Sequence, residues 1–150
     1  MSISQIGVFV ENHPGHVARV LDAFVEAKVQ VRGYCMSDTG DYGIVRFVVD
    51  NPEKAKQVLA DMGCAVVAKE VLCLRLPDRP GELARIMGVF AKLNINVEYS
   101  YSLVSTYIAI SVKDLAAAEE ALKKETVELI DQAQLTALVD LDRSNAQEGR

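Results

Sequence analysis

No stretch of the 150-residue sequence approaches the ~20 consecutive apolar residues that a membrane-spanning helix requires. Nor does the chain open on a basic stretch followed by an apolar run, so Met1-Ser-Ile-Ser-Gln is not read as a secretory leader. Basic clusters are missing as well. The net charge is −5 and the pI about 5.0, and no Lys/Arg run supplies the positive face that nucleic acid or an anionic membrane needs. What acidic excess exists falls in the second half of the chain. Cysteine is scarce: Cys35, Cys64 and Cys73 are odd in number, scattered, and set among apolar residues. That distribution argues against a disulfide framework or a CxxC metal site, and predicts buried, reduced thiols in a cytoplasmic protein. Also absent are a nucleophile–base constellation, a repeated acid pair in a motif and a phosphate-cradling glycine loop. Catalysis and a cofactor are therefore not expected.

What the sequence does contain is a repeat. Residues 12–31, NHPGHVARVLDAFVEAKVQV, align with residues 78–97, DRPGELARIMGVFAKLNINV, at an offset of 66. Six of these twenty positions are identical: Pro14/Pro80, Gly15/Gly81, Ala18/Ala84, Arg19/Arg85, Phe24/Phe90 and Val31/Val97. The match resumes two or three residues out of step, with Leu59 over Leu122, so the second copy has a shorter central hairpin. Such self-similarity is the mark of two structural copies.

Each copy reads as strand, helix, strand, strand, helix, strand. Ile6, Val8 and Val10 alternate as a strand does. Val17, Val20, Leu21 and Phe24 recur at helical spacing, as do Leu83, Ile86, Met87 and Phe90, each giving one apolar stripe to cover a sheet. Val29, Val31 and Cys35 continue as a second strand, mirrored by Ile95, Val97, Tyr99 and Tyr101; Val45, Phe47 and Val49 form a third. Ala55, Val58, Leu59 and Met62 make the second helical stripe, matched by Ala118, Ala121 and Leu122. Cys64 to Leu76 is long enough for the last strand of one copy and the first of the next. The expectation is an α+β protein of two tandem ferredoxin-like βαββαβ domains, at 1–70 and 71–140, with a polar, disordered tail at 141–150. Small four-stranded sheets leave unpaired edges and an open face, so a homodimer or higher oligomer is expected.

The two loops between first strand and first helix carry the candidate chemistry. Proline suits the first position of a helix, and glycine lets backbone approach a ligand. N–H groups of Gly15, His16 and Val17 at the positive end of a helix dipole would receive a carboxylate. The Asn12 amide can donate to that carboxylate and accept from an ammonium, and an α-amino acid presents both groups. The plainer reading makes Asn12 and Asp78 ordinary helix caps. His13 and His16 flank the glycine; three residues apart they invite a metal, but no third ligand is placed, and histidines at a helix start face solvent more often. Arg19 and Arg85 repeat, which pairing with neighbouring acids explains. Tyr99, Tyr101 and Tyr107 read as sheet packing rather than pocket lining.

Asn12-His13-Pro14-Gly15, Asp78-Arg79-Pro80-Gly81, the helix pattern after each, and Asp38-Thr-Gly-Asp-Tyr-Gly-Ile-Val-Arg46 together resemble the ACT-domain family, over roughly residues 3–139. More narrowly, they resemble its short members built of two ACT domains alone. The resemblance implies a non-catalytic, allosteric amino-acid sensor, with ligand held where this loop meets the second strand of a paired domain. On that pattern the loop amide carries over to Asn12, and the strand amide to Gln30 and Asn96. The first-copy set is then Asn12, His13, Pro14, Gly15, His16 and Val17. The second is Asp78, Pro80, Gly81 and Glu82, where Asp78 departs from the amide pattern and would repel a ligand carboxylate unless it faced the ammonium. The rival is an interaction subunit that docks on a metabolic enzyme and binds no metabolite.

Overall fold

A computed structural model of the chain describes residues 1–11, 13–38 and 42–138. The elements are β1 (Ile3–Glu11), α1 (His16–Glu26), β2 (Val31–Asp38), β3 (Tyr42–Val49), α2 (Pro52–Asp61), β4 (Val66–Arg75), α3 (Glu82–Lys92), β5 (Val97–Ser102), β6 (Tyr107–Val112), α4 (Leu115–Lys123) and β7 (Leu129–Ile130). A further helical stretch covers 132–138. The order βαββαβ occurs twice, giving two ferredoxin-like units.

Of the described residues, one compact unit comprises those within Ser4–Lys69 together with 132–138. Its β3 pairs antiparallel with both β1 and β2, and Phe9 N–H donates to Ala65 C=O at 3.1 Å just before β4. Helices α1 and α2 cover one face. Ile6, Val8 and Val10 alternate inward to meet Val45 and Phe47, and Val20 and Phe24 descend on them from α1. Phe24 meets Phe47 edge to face, with ring centroids 5.2 Å apart. Stretch 132–138 is tied to the same unit: Leu135 is buried, Gln132 accepts from Ser4 N–H at 3.1 Å and donates to Val49 C=O at 3.0 Å, and Thr136 donates to Asp50 C=O at 2.8 Å.

The other unit comprises Met1–Ile3 and Glu70–Asp131. Here β4 pairs antiparallel with β6 and with the two-residue β7, and β5 pairs with β6. Leu72, Leu74, Ile86, Phe90, Ile110 and Leu122 form its core. The ten residues of β4 are divided between the units after Lys69.

Several local expectations need correction. Leu21 and Leu83 were placed on buried stripes but are 38% and 49% exposed, because the cores are met by Val20 and Phe24 with Val17, and by Ile86 and Phe90 with Met87. Met62 ends its helix and is likewise exposed. The alternation in β2 and β5 breaks at a bulge, between Val31 and Gly33 and between Val97 and Tyr99, and Val29 and Ile95 precede the strands. Of the cysteines only Cys73 is fully buried, and burial pushes its thiol up to about 12; Cys35 and Cys64 are half-buried. The tail at 141–150 lies outside the described residues.

Candidate functional site

The four longer helices start in two different ways. Asn51 caps α2 by accepting from Lys54 N–H at 3.1 Å, and Asp114 caps α4 by accepting from Ala117 N–H at 3.0 Å. Such caps satisfy N–H groups that a helix start leaves without partners. Neither α1 nor α3 has a side-chain cap. Each begins at a glycine in the left-handed region, Gly15 at φ 89° and Gly81 at φ 88°. Gly81 rather than Asp78 thus holds the N-cap position of α3, and the capping role considered for Asn12 lies outside the described residues. Pro14 and Pro80 stand before the glycine rather than at the first helical position, so they stiffen the approach to the turn instead of opening the helix. A Cβ at either glycine would meet nothing within 4 Å; the requirement is for positive φ, which costs glycine nothing. Both loops thus bring the positive end of a helix behind a glycine in place of a capping side chain, and at α3 the Glu82 N–H donates to Arg79 C=O at 3.4 Å.

In the first loop, Asn12 lies outside the described residues. His13 donates its backbone N–H to Glu11 C=O at 2.8 Å, and its Nε2 stands 3.3 Å from the Glu11 carboxylate. Its Nδ1 approaches Pro14 C=O at 3.2 Å. The His13 and His16 rings stack, 5.3 Å apart and 9° from parallel. His16 is half-buried rather than turned to solvent: its Nδ1 accepts from Glu11 N–H at 3.0 Å, tying the end of β1 to the start of α1. Val17 packs partly into the core. Among the described residues no group of three or more His, Cys, Asp or Glu is placed to hold a metal.

In the second loop, Arg79 N–H donates to Pro77 C=O at 2.8 Å, and Leu76 N–H donates to Thr106 C=O at 2.6 Å, seating the loop beside the β5–β6 turn. Glu82 is held from both sides, by Arg79 at 3.3 Å and Arg85 at 3.0 Å. The Arg85 hydrogen bond, opposed by partial burial and aided by the charges of Arg85 and Arg79, holds the Glu82 carboxyl below its ordinary value. Arg85 also donates to Thr126 C=O at 3.2 Å and stands 3.9 Å from Glu125, so this arginine does pair with neighbouring acids. Between loop and turn lies a cavity of about 370 Å³, lined among others by Asp78, Gly81, Glu82, Ser102, Thr106 and Tyr107. That volume falls within the usual range for small-molecule sites. Asp78, Pro80 and Gly81 are exposed. Burial, with the Glu128 charge, pushes the Tyr107 hydroxyl above its ordinary value. Tyr107 therefore does line a pocket, whereas Tyr99 and Tyr101 stack on each other at 6.4 Å.

Gln30 and Asn96 are not brought to the loop of their own copy. Gln30 precedes Val31, which pairs with Val49, whereas the loop follows Glu11, which pairs with Tyr42 at the other end of β3. Its backbone is tied to Asp50, donating at 2.8 Å and accepting at 3.1 Å. Asn96 is exposed and stands before Val97, which pairs with Val112; the second loop lies at the Tyr107 end of that strand. Sequence reasoning missed Ser102, Ser105 and Thr106. Their signal was the hydroxyl-rich turn Ser102–Tyr107 in register with the second loop.

Two βαββαβ units in one chain, each with a glycine-started helix after its first strand, define a tandem ferredoxin-like module. The chain belongs to the ACT domain pair family, whose model matches residues 1–140. No curated protein matches it by sequence. Among solved structures it is similar to protein BT0572 from Bacteroides thetaiotaomicron, at 27% identity and TM-score 0.86, covering 91% of this chain and 96% of that one. The fold is shared with the ligand-free regulatory subunit of aspartate kinase from Thermus thermophilus, at 19% identity and TM-score 0.60, covering 82% and 91%. It is also shared with the corresponding subunit from Thermus flavus, at 20% identity and TM-score 0.52, covering 81% and 90%.

Proposed function

We propose that this ACT domain pair is a non-catalytic sensor of a free α-amino acid, held at the glycine loops that open α1 and α3. The observation that carries the reading is the cavity of about 370 Å³ between the Asp78–Gly81 loop and the Ser102–Tyr107 turn. A carboxylate is received by the N–H groups at the start of α3, where no side chain caps the helix. Asp78, whose charge is wrong for that carboxylate, is right for the α-ammonium. Ser102 and Thr106 supply further hydrogen-bonding groups on the facing side. At the first loop, Asn12 plays the amide role beside Gly15, His16 and Val17. Amides from a facing strand, Gln30 or Asn96, would have to come from another domain, since neither reaches the loop of its own copy.

In Thermus thermophilus the fold forms the regulatory subunit of an aspartate kinase. By analogy, the ligand state of this chain is read by a partner enzyme. The test is a thermal-shift screen of the twenty amino acids against the purified chain, followed by calorimetry with any that stabilise it. A ligand at ~100 times its dissociation constant stabilises by about 2.7 kcal/mol.

A further inference from the structure

The outer stripe of α1 and the lining of the α3–α4 groove carry opposite net charge, and they differ in shape. Along α1, Ala18, Asp22, Val25 and Glu26 fall at i, i+4, i+7 and i+8, one outward stripe opposite the buried Val20 and Phe24. Val25 is 74% exposed and stands up from that stripe as an apolar knob flanked by two acids. In the other copy, α3 and α4 leave a groove of about 470 Å³, floored by Gly88, Val89 and Ala121 and rimmed by Lys92 and Lys124. A Cβ at Gly88 would meet nothing within 4 Å, so the floor is open there. Leu93, 54% exposed, extends the apolar floor.

The charges are arranged by sign. Glu26 of α1 has Lys92 as its counterpart in α3, and Asp61 of α2 has Lys124 in α4. Neighbouring charges are largely satisfied: Lys56 by Glu53, Lys123 by Glu119 and Glu120, Glu82 by Arg79 and Arg85. Asp22, Glu26, Lys92 and Lys124 are exposed and have no ion pair among the described residues. Pairing like faces would set acid against acid or base against base, which opposes association. Only the stripe of one copy against the groove of the other joins opposite signs, and only α1 has a knob; the α3 stripe carries Ala84, Gly88 and Ala91 instead.

We propose that the α3–α4 groove is an assembly surface whose occupant is the α1 stripe of a second copy of this chain. Val25 enters over Gly88, and Asp22 and Glu26 meet Lys92 and Lys124, a helix-in-groove contact steered by charge. The proposal is independent of the ligand loops.

Sedimentation equilibrium on the full chain tests it, with circular-dichroism melts confirming that each variant is folded. The wild-type chain should associate, more weakly as salt rises. Asp22→Lys/Glu26→Lys and Lys92→Glu/Lys124→Glu should each weaken self-association at least tenfold. A chain with all four reversals should regain it, and an equimolar mixture of the two double variants should form mixed complexes. Val25→Arg, at an exposed position, should weaken association while the far-UV circular dichroism of the folded chain stays unchanged. A wild-type chain that stays monomeric, double variants that associate as wild type does, or four reversals that fail to restore association would each overturn the proposal.

Discussion

At Asp78, the charge that looks misplaced in the motif becomes the useful one once the cavity is in view. A carboxylate among helix N–H groups repels an anion, but beside an α-ammonium it makes a charge-assisted hydrogen bond. Asp78→Ala should therefore weaken amino-acid binding at the second loop by roughly 10- to 100-fold, the equivalent of about 1.5–3 kcal/mol. Asn12→Ala should do the same at the first loop. Calorimetry on both variants ranks the loops, and the cavity at the second leads us to expect the larger total loss from Asp78→Ala, against the order that the loop amide alone implies. Glu82 gives a pH prediction. Its carboxyl lies lower in the folded chain than its ordinary value of 4.5 because Arg85 hydrogen-bonds it. The stabilisation is thus complete above that ordinary value and lost as pH falls through the folded one. Melts of wild type and Glu82→Gln should differ at neutral pH and converge under acid; a constant difference down to the lowest pH would contradict it.

Among the elements, the uncapped helices are the ones to perturb. Gly15→Ala and Gly81→Ala place a side chain at positive φ in open space, so the cost is conformational, about 1–2 kcal/mol by denaturant unfolding. A larger loss would mean that an unseen steric contact also constrains the glycine. The repeat made both βαββαβ orders readable, because period-2 and period-3.6 patterns recur at the same offset. Exposure of Leu21 and Leu83 was not readable: a stripe four residues wide looks the same in sequence whether three or four of its members reach the core. Bulges at Val31/Gly33 and Val97/Tyr99 were hidden because they reset an alternation that the residue types nearly preserve. The helical stretch at 132–138 escaped for a different reason. It is short, and its one deeply buried residue, Leu135, gives no periodicity. At the loops, the motif marked the backbone site but could not reveal which cavity the opposing turn would form, since Ser102 and Thr106 are far from it in sequence.

Taken whole, the chain is two repeated units of one family, for which we propose a single role: binding a small zwitterion and passing that state to a partner. The units keep the same glycine start, yet differ three residues before it, with Asn12 in one and Asp78 in the other. That divergence points to unequal affinities rather than two equivalent sites. The most direct measurement is the thermal-shift screen of the twenty free amino acids. The account predicts that at least one raises the stability of the chain by about 2.7 kcal/mol at ~100 times its dissociation constant, and that Asp78→Ala reduces this shift. Twenty amino acids without a shift, or a shift that Asp78→Ala and Asn12→Ala both leave unchanged, would contradict it.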